Sequence, residues 1–482
     1  MVYVSLSYYL FLAAVLAVYY LLPLRFRWLA LLAGSVGFYL RLTASPLVFL
    51  AAAAVSWLVG LALGRSDASG RGSHEAPAGG GSLPRLLLLL LLLLGLLAAL
   101  APLAAVKLSW GLAAPLGLSF YSLQMAGYLA DVYRGGVSPE KNPLRYLLFL
   151  SFFPQILQGP IPRYAQLAPQ LYTGHRFDEE GFTRGLLSIL WGFFLKFMVA
   201  DKAAVLVDAV FNSFPTYQGV YVLAAGVLYS LQLYADFLSC VKLSQGAAAL
   251  FGVALGENFD CPYRARSIQE FWRRWHISLS SWLRDYVYIP LGGSRRGAAA
   301  RYVNLVIVFA VSGVWHGTGW KFLAWGLLHA AYQIVGGLTR PVKDRLYTLL
   351  KMPQDSLARQ ALQTAGTFLW VMLAWIVFRA ESLEAAGAML RSLFTVYNPW
   401  VLFDGSLALL GLAGKEWAVL GLSAGALWAA GHWRQSRGSV RDWLLAQHLL
   451  VRWCVCIAAI CLIWIYGTYG SGFGQDFIYG GF

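Results

Sequence analysis

The chain has 482 residues, 59% of them hydrophobic and only 12% charged, about half the charged share of an ordinary soluble domain. So little charge cannot cover a water-exposed surface, which excludes a soluble enzyme. The formal charge of +15 would suggest nucleic acid in a soluble chain. Here the basic residues gather in short stretches between apolar runs, as the positive-inside rule expects of cytoplasmic loops, so nucleic acid is not an expected partner.

The first apolar run, Val2 to Pro23, has no basic residue before it and no small-x-small cleavage site, and so reads as a retained helix rather than a signal peptide. Ser66 to Pro84, rich in Gly, Ser and Ala, reads as a flexible cytoplasmic linker. The nine leucines Leu86 to Leu94 open a run to Val106 that is long enough to span a bilayer, as is Leu449 to Tyr466. Runs of this length without period-2 alternation favour helices over a barrel. The predicted fold is all-α and polytopic, one membrane domain over residues 1–482 with about eleven spans and no internal repeat of the transporter kind. The basic stretches around Arg295 to Arg301, Arg340 to Arg345 and Arg434 to Arg441 are assigned to the cytoplasm, and Thr339 to Gln360 to a second polar loop.

Polar residues, Pro and Gly interrupt the middle of the chain at Phe152-Phe153-Pro154-Gln155 through Gln158-Gly159-Pro160, at Glu257-Asn258-Phe259 and at Phe271 to Gly293. Non-helical backbone at membrane depth is tolerated only where protein buries it or a wet cavity meets it, so the functional cavity is expected here. On one intervening helix Tyr229, Gln232, Asp236 and Ser239 fall within an arc of about 80°. They would line a substrate pathway or, equally, glue that helix to a neighbour.

Two histidine motifs carry the chemistry. Phe271-Trp272-Arg273-Arg274-Trp275-His276 through Trp282-Leu283-Arg284-Asp285-Tyr286 to Gly293 is too polar to span and rich in interfacial aromatics, which predicts a re-entrant or interfacial helix on the cytoplasmic side. His276 is there a second functional histidine or an interfacial one held by hydrogen bonds. Ser312-Gly313-Val314-Trp315-His316-Gly317-Thr318-Gly319-Trp320 lies between apolar helices, and with basic loops at Arg301 and beyond Leu338 the chain must enter and return, turning near Gly317 to Gly319. From Arg301 a helix rises only about 24 Å to His316, which leaves the histidine inside the membrane, where an ionisable residue is a functional site by default. A neutral imidazole is suited to take the proton of a hydroxyl attacking a thioester, and the indole N–H groups of Trp315 or Trp320 are candidate donors to the oxyanion.

His329, spaced from Trp325 and Tyr332 as on one helix face, is expected to be a packed core residue, and the other histidines are assigned no role. The five cysteines show no zinc or disulfide spacing. No metal site is expected, and the Gly-x-Ser-x-Gly, P-loop, His-Glu-x-x-His and His-x4-Asp frameworks are absent from the sequence.

These motifs, together with Asp131-Val132-Tyr133-Arg134-Gly135, Phe378-Arg379-Ala380 and the order in which all of them occur over residues 115 to 380, closely resemble the bacterial branch of the membrane-bound O-acyltransferase family. The length and the ending Phe477-Ile478-Tyr479 look more like the alginate-acetylase type than the D-alanyl type. The resemblance implies a multi-pass inner-membrane enzyme, a ring of tilted helices around a thinned centre. In such an enzyme an acyl group, acetyl or else D-alanyl, passes from a cytosolic thioester to a surface polysaccharide. It makes His316 the catalytic histidine and His276 the supporting one, with Trp315, Trp275, Arg284, Gln232, Asp236 and Ser239 as candidate substrate-binding residues. The implied donor is acetyl-coenzyme A or an acyl carrier protein, with no bound cofactor, and the implied partners are the bilayer and an extracytoplasmic transfer protein. Where relatives read Asp-Phe-Ser-Gly-Tyr-Ser-Asp-Met-Ala, this chain departs, with Asp236-Phe237-Leu238-Ser239-Cys240-Val241-Lys242-Leu243-Ser244. The rival readings are a transporter or flippase with an intramembrane proton-relay histidine, and an inactive scaffold for an extracellular partner.

Overall fold

The computed structural model describes residues 3–67, 85–108 and 115–469, and every regular element among them is helical. The linker expected at Ser66 to Pro84 lies, beyond Asp67, outside the described residues, as does Phe477-Ile478-Tyr479. The described residues pack as two compact units, Val2–Leu186 with Ser244–Gly256, and Leu187–Leu243 with Glu257–Phe482.

The first unit comprises α1 (Leu6–Leu21), α2 (Arg27–Leu42), α3 (Pro46–Asp67), α4 (Arg85–Lys107), α5 (Leu118–Tyr133), α6 (Pro143–Ser151), α7 (Tyr164–Tyr172) and the start of α8 (Glu179–Phe194). Local chemistry sets several of the starts. The Ser5 hydroxyl accepts from the Tyr8 N–H at 3.2 Å, and the Asn142 carbonyl caps α6, with Pro143 in its first turn where no backbone donor is needed. The broken stretch at Phe152 to Pro160 belongs to this unit, and side chains satisfy its backbone. Tyr3 and Ser244 hydroxyls donate to the Pro154 carbonyl at 2.9 and 2.5 Å, and the Phe153 N–H donates to the Ser35 hydroxyl at 3.2 Å. This interruption is buried by protein, one of the two settings in which such backbone is tolerated.

The second unit holds the rest of α8, α9 (Asp201–Asn212), most of α10 (Val220–Ala249), the short α11 (Ile268–Arg274) and α12 (Ile277–Leu283), α13 (Ala298–His316), α14 (Trp320–Leu338), α15 (Arg340–Leu349), α16 (Leu357–Arg379), α17 (Leu383–Thr395), α18 (Gly414–Arg437), α19 (Val440–Leu445) and α20 (Leu449–Tyr466). Across both units α3, α4, α10, α13, α16 and α20 carry stretches long and apolar enough to cross a bilayer. Other helices are apolar but shorter, such as α1, or long without the apolar composition, such as α14 and α18.

The hairpin from Arg301 to Leu338 forms as the basic loops predict, turning between α13 and α14 at Gly317 to Gly319. Two glycines allow it to close. A Cβ at Gly313 would stand 2.5 Å from the Phe322 carbonyl oxygen, and one at Gly326 would collide with the Phe309 carbonyl oxygen, so the two backbones touch where any side chain would hold them apart. The polar stretch after it is not the simple loop expected. Pro341 in the first turn, an Arg340–Asp344 pair at 3.7 Å, and Arg359 reaching Asp344 at 2.6 Å organise α15 there.

Candidate functional site

The helix between Ile268 and Leu283 is broken at His276, which takes a left-handed backbone, φ 44° and ψ 55°, between α11 and α12. A non-glycine residue in that conformation costs on the order of 1–3 kcal/mol and persists only where its surroundings impose it. The imposing residue is Asn258, fully buried in the Glu257-Asn258-Phe259 interruption. Its backbone carbonyl accepts from the Ile277 N–H at 2.9 Å. Its side-chain oxygen accepts from the Ser278 N–H at 3.0 Å and the Ser278 hydroxyl at 2.9 Å, and lies 3.3 Å from His276 Nδ1.

An oxygen that accepts from a backbone N–H is the carbonyl end of the amide, so His276 Nδ1 must donate to it. The proton of the neutral ring then sits on Nδ1, which leaves the Nε2 lone pair as the acceptor. Burial holds the imidazole in this neutral form by pushing its pKa down to about 3.

His316 closes α13 and is 2% exposed. Rings enclose it: Trp315 at 4.8 Å, Trp325 at 5.0 Å and Phe378 at 5.5 Å between centroids, all edge-on. Trp315 also meets His276, at 6.2 Å, and Phe237 of α10 lies edge-on to His276 at 4.8 Å. The two histidine motifs, far apart in sequence, thus share one indole and one desolvated layer.

Of the other sequence candidates, Trp275 is buried, stacked on Phe271 at 5.5 Å. Gln232, Asp236 and Ser239 are all buried on α10. The Ser239 hydroxyl is committed to the Gly192 carbonyl at 2.7 Å, and Asp236 takes the Lys196 ammonium at 2.8 Å, which favours helix-to-helix attachment for those two. Gln232 keeps a buried side-chain oxygen with no hydrogen-bond partner among the described residues. Arg284 stands away from the buried layer, its side chain 64% exposed and paired with Asp285 at 2.8 Å. Trp320, a candidate oxyanion donor, is 76% exposed, whereas Trp325 is fully buried against His316.

Sequence reasoning assigned no role to Asn258, although its polar interruption was visible, nor to Lys196 and Asp201. Lys196 lies on a wider, π-type turn and bridges Asp201 and Asp236 at 2.8 Å each, with all three side chains at most 3% exposed. Charged residues inside an apolar stretch were the available signal, because such groups survive there only when paired. Lys242 bonds both Glu257 carboxylate oxygens at 3.0 Å and ties α10 to the segment that presents Asn258.

An all-helical membrane protein that gathers two buried histidines at a helix break and at the tip of a hairpin has the build of a membrane-embedded enzyme. The chain is a member of the membrane-bound O-acyltransferase (MBOAT) family, whose model matches residues 138–381, and it is an O-acyltransferase. It is 33% identical over 407 residues to the probable alginate O-acetylase AlgI of Azotobacter vinelandii, covering 82% of this chain and 78% of that one. It is 34% identical over 309 residues to the peptidoglycan O-acetyltransferase of Helicobacter pylori, covering 58% of this chain and 57% of that one. It is 28% identical over 287 residues to the teichoic acid D-alanyltransferase of Streptococcus thermophilus, covering 55% of this chain and 68% of that one.

Proposed function

We propose that this protein acetylates hydroxyl groups of an extracytoplasmic polysaccharide from a cytosolic acetyl thioester, with His316 as general base and His276 as the supporting histidine. The observation that carries the reading is the shared Trp315 ring between two buried imidazoles, one at the tip of the α13–α14 hairpin and one on a pinned helix break. In the reaction His316 takes the proton as the acceptor hydroxyl oxygen bonds to the thioester carbonyl carbon. The carbon–sulfur bond then breaks, the proton passes to the departing sulfur, and the products are an ester and a thiol. Excluding water from this layer protects the thioester from hydrolysis.

Acetyl is favoured over D-alanyl because relatives named as O-acetylases are matched at 32–34% identity, against 28–29% for those named as D-alanyltransferases. The reading places the protein in the inner membrane. It makes coenzyme A or an acyl carrier protein the bearer of the acetyl group, and an extracytoplasmic transfer protein the partner that completes delivery. The test is complementation of a strain lacking the gene with wild-type or His316→Ala protein, followed by release and quantification of ester-linked acetate from surface polymer. Normal acetylation by the variant, or D-alanine in place of acetate, would overturn the reading.

A further inference from the structure

We infer that His329 is a positioning residue for this site, clamping the short helix that leads to His276 onto the hairpin that carries His316. The inference rests on the reading of those two histidines given above, but its geometry stands apart from them. His329, in the middle of α14, is fully buried. Trp272 of α11, one helical turn before His276, donates its indole N–H to His329 Nδ1 at 3.2 Å.

That bond needs a lone pair on Nδ1, so the proton of the neutral ring sits on Nε2. Nε2 has no hydrogen-bond partner among the described residues. A buried donor left in that condition is costly, and leucine or phenylalanine would fill the same space without it. Packing alone therefore does not account for a histidine at this position. An acceptor at Nδ1 does.

What the acceptor holds is a chain of rings that runs to both candidate histidines. The His329 ring lies edge-on to Trp272 at 5.0 Å and to Trp325 at 5.1 Å, and Trp325 lies edge-on to His316 at 5.0 Å. Trp272 and Trp325 also touch directly, at 5.8 Å. Ring pairs prefer edge-on geometry but tolerate centroid distances over about 4.5–7 Å, whereas a hydrogen bond between two rigid rings also fixes the spacing to within a few tenths of an ångström. The Trp272–His329 bond is thus a directional tie between α11 and α14, and through them between the two histidine motifs.

The experiment uses the full-length protein in nanodiscs with three single variants. His329→Leu removes the acceptor, His329→Asn places a carbonyl oxygen near the position of Nδ1, and Trp272→Phe removes the donor while keeping a ring. Carbethoxylation of His276 and His316 by diethyl pyrocarbonate, followed by peptide mass spectrometry, reads their protection without requiring activity. Faster modification of both in His329→Leu and Trp272→Phe, with wild-type protection in His329→Asn, is expected. In proteoliposomes supplied with radiolabelled acetyl-coenzyme A and an alginate oligosaccharide, His329→Leu and Trp272→Phe should lose about 10- to 100-fold in kcat, as small misplacements of catalytic groups do. KM should be unchanged, and the Trp272→Phe/His329→Leu double variant should be no slower than the slower single one.

Unchanged protection in His329→Leu, or equal damage in His329→Asn and His329→Leu, would overturn the clamp. If His329→Leu does not fold, the Asn and Trp272→Phe variants decide in the same way. Should the wild-type protein restore no ester-linked acetate to surface polymer in the complemented strain while the protection pattern follows expectation, the functional reading fails and the clamp stands.

Discussion

The Trp315 indole lies edge-on to the His276 imidazole, with ring centroids 6.2 Å apart and planes at 65°. Because Trp315 is also the chain neighbour of His316, at 4.8 Å and 74°, this contact couples the helix break at His276 to the tip of the α13–α14 hairpin.

His316→Ala should lower acetylation of surface polymer by about 100-fold or more, the range expected when a general base is removed, while the protein still accumulates in the membrane fraction. The side chain is enclosed by rings that the backbone already positions, so its loss leaves a small void rather than an unpaired charge. Ester-bound acetate measured against membrane protein level separates the two effects.

His276→Ala should reduce acetylation less than His316→Ala, because its neutral ring is pinned by Asn258 and supports the reacting layer. Asn258→Leu should mimic much of that reduction and also lower stability by about 1–3 kcal/mol, since Ser278 and His276 lose their common acceptor. Thermal denaturation in detergent together with acetate release measures both. Complete and equal loss in His276→Ala and His316→Ala would instead assign the two residues a shared catalytic role.

Lys196→Met should destabilise the protein by about 3–5 kcal/mol, because it strands two buried carboxylates that now share one ammonium at 2.8 Å each. Adding Asp201→Asn and Asp236→Asn should recover part of the loss by removing the stranded charges. Melting temperatures of the single and triple variants provide the comparison.

Gly326→Ala should cost about 1–3 kcal/mol through overpacking, because its methyl group would meet the Phe309 carbonyl. It should also slow acetyl transfer, since spreading α13 from α14 moves Trp325 away from His316. An Ala at Gly366, inside α16 where a Cβ meets nothing within 4 Å, is the control: it should hold or slightly raise the melting temperature, by about 0.4–1 kcal/mol of added stability, and leave acetate release unchanged.

Topology gives a test independent of chemistry. In a background without the five native cysteines, single cysteines at Ser294 and Thr339 should resist an impermeant thiol reagent in intact cells and react once the membrane is opened. A cysteine at Thr318, exposed in the turn of the hairpin, should label slowly from outside. Rapid outside labelling at Thr339 would mean that a single span separates it from Arg301, and the re-entrant hairpin would be wrong.

Much of this protein was legible in its sequence, because composition acts on every residue at once. Scarcity of charge demanded a membrane, long apolar runs demanded helices, and basic stretches at Arg301 and beyond Leu338 demanded that the chain turn near Gly317. The His316 motif stood out because an imidazole between apolar helices is costly to keep, whereas His276, in a stretch too polar to span, owed its supporting role to the family resemblance of its motif.

The limits appear where a local pattern had two physical outcomes. The α10 stripe was equally compatible with a pathway and with attachment, and only the partners chosen in space, Gly192 for Ser239 and Lys196 for Asp236, separate them. Thr339 to Gln360 was polar enough for a loop, yet Arg359 and Asp344 meet and a helix forms. The neutral form of His276, the burial of Trp325 in place of Trp320, and the bond from Trp272 to His329 were likewise decided by tertiary structure alone. Hydrogen-bond partners and desolvation depend on which distant segments come together, and neither periodicity nor composition records that.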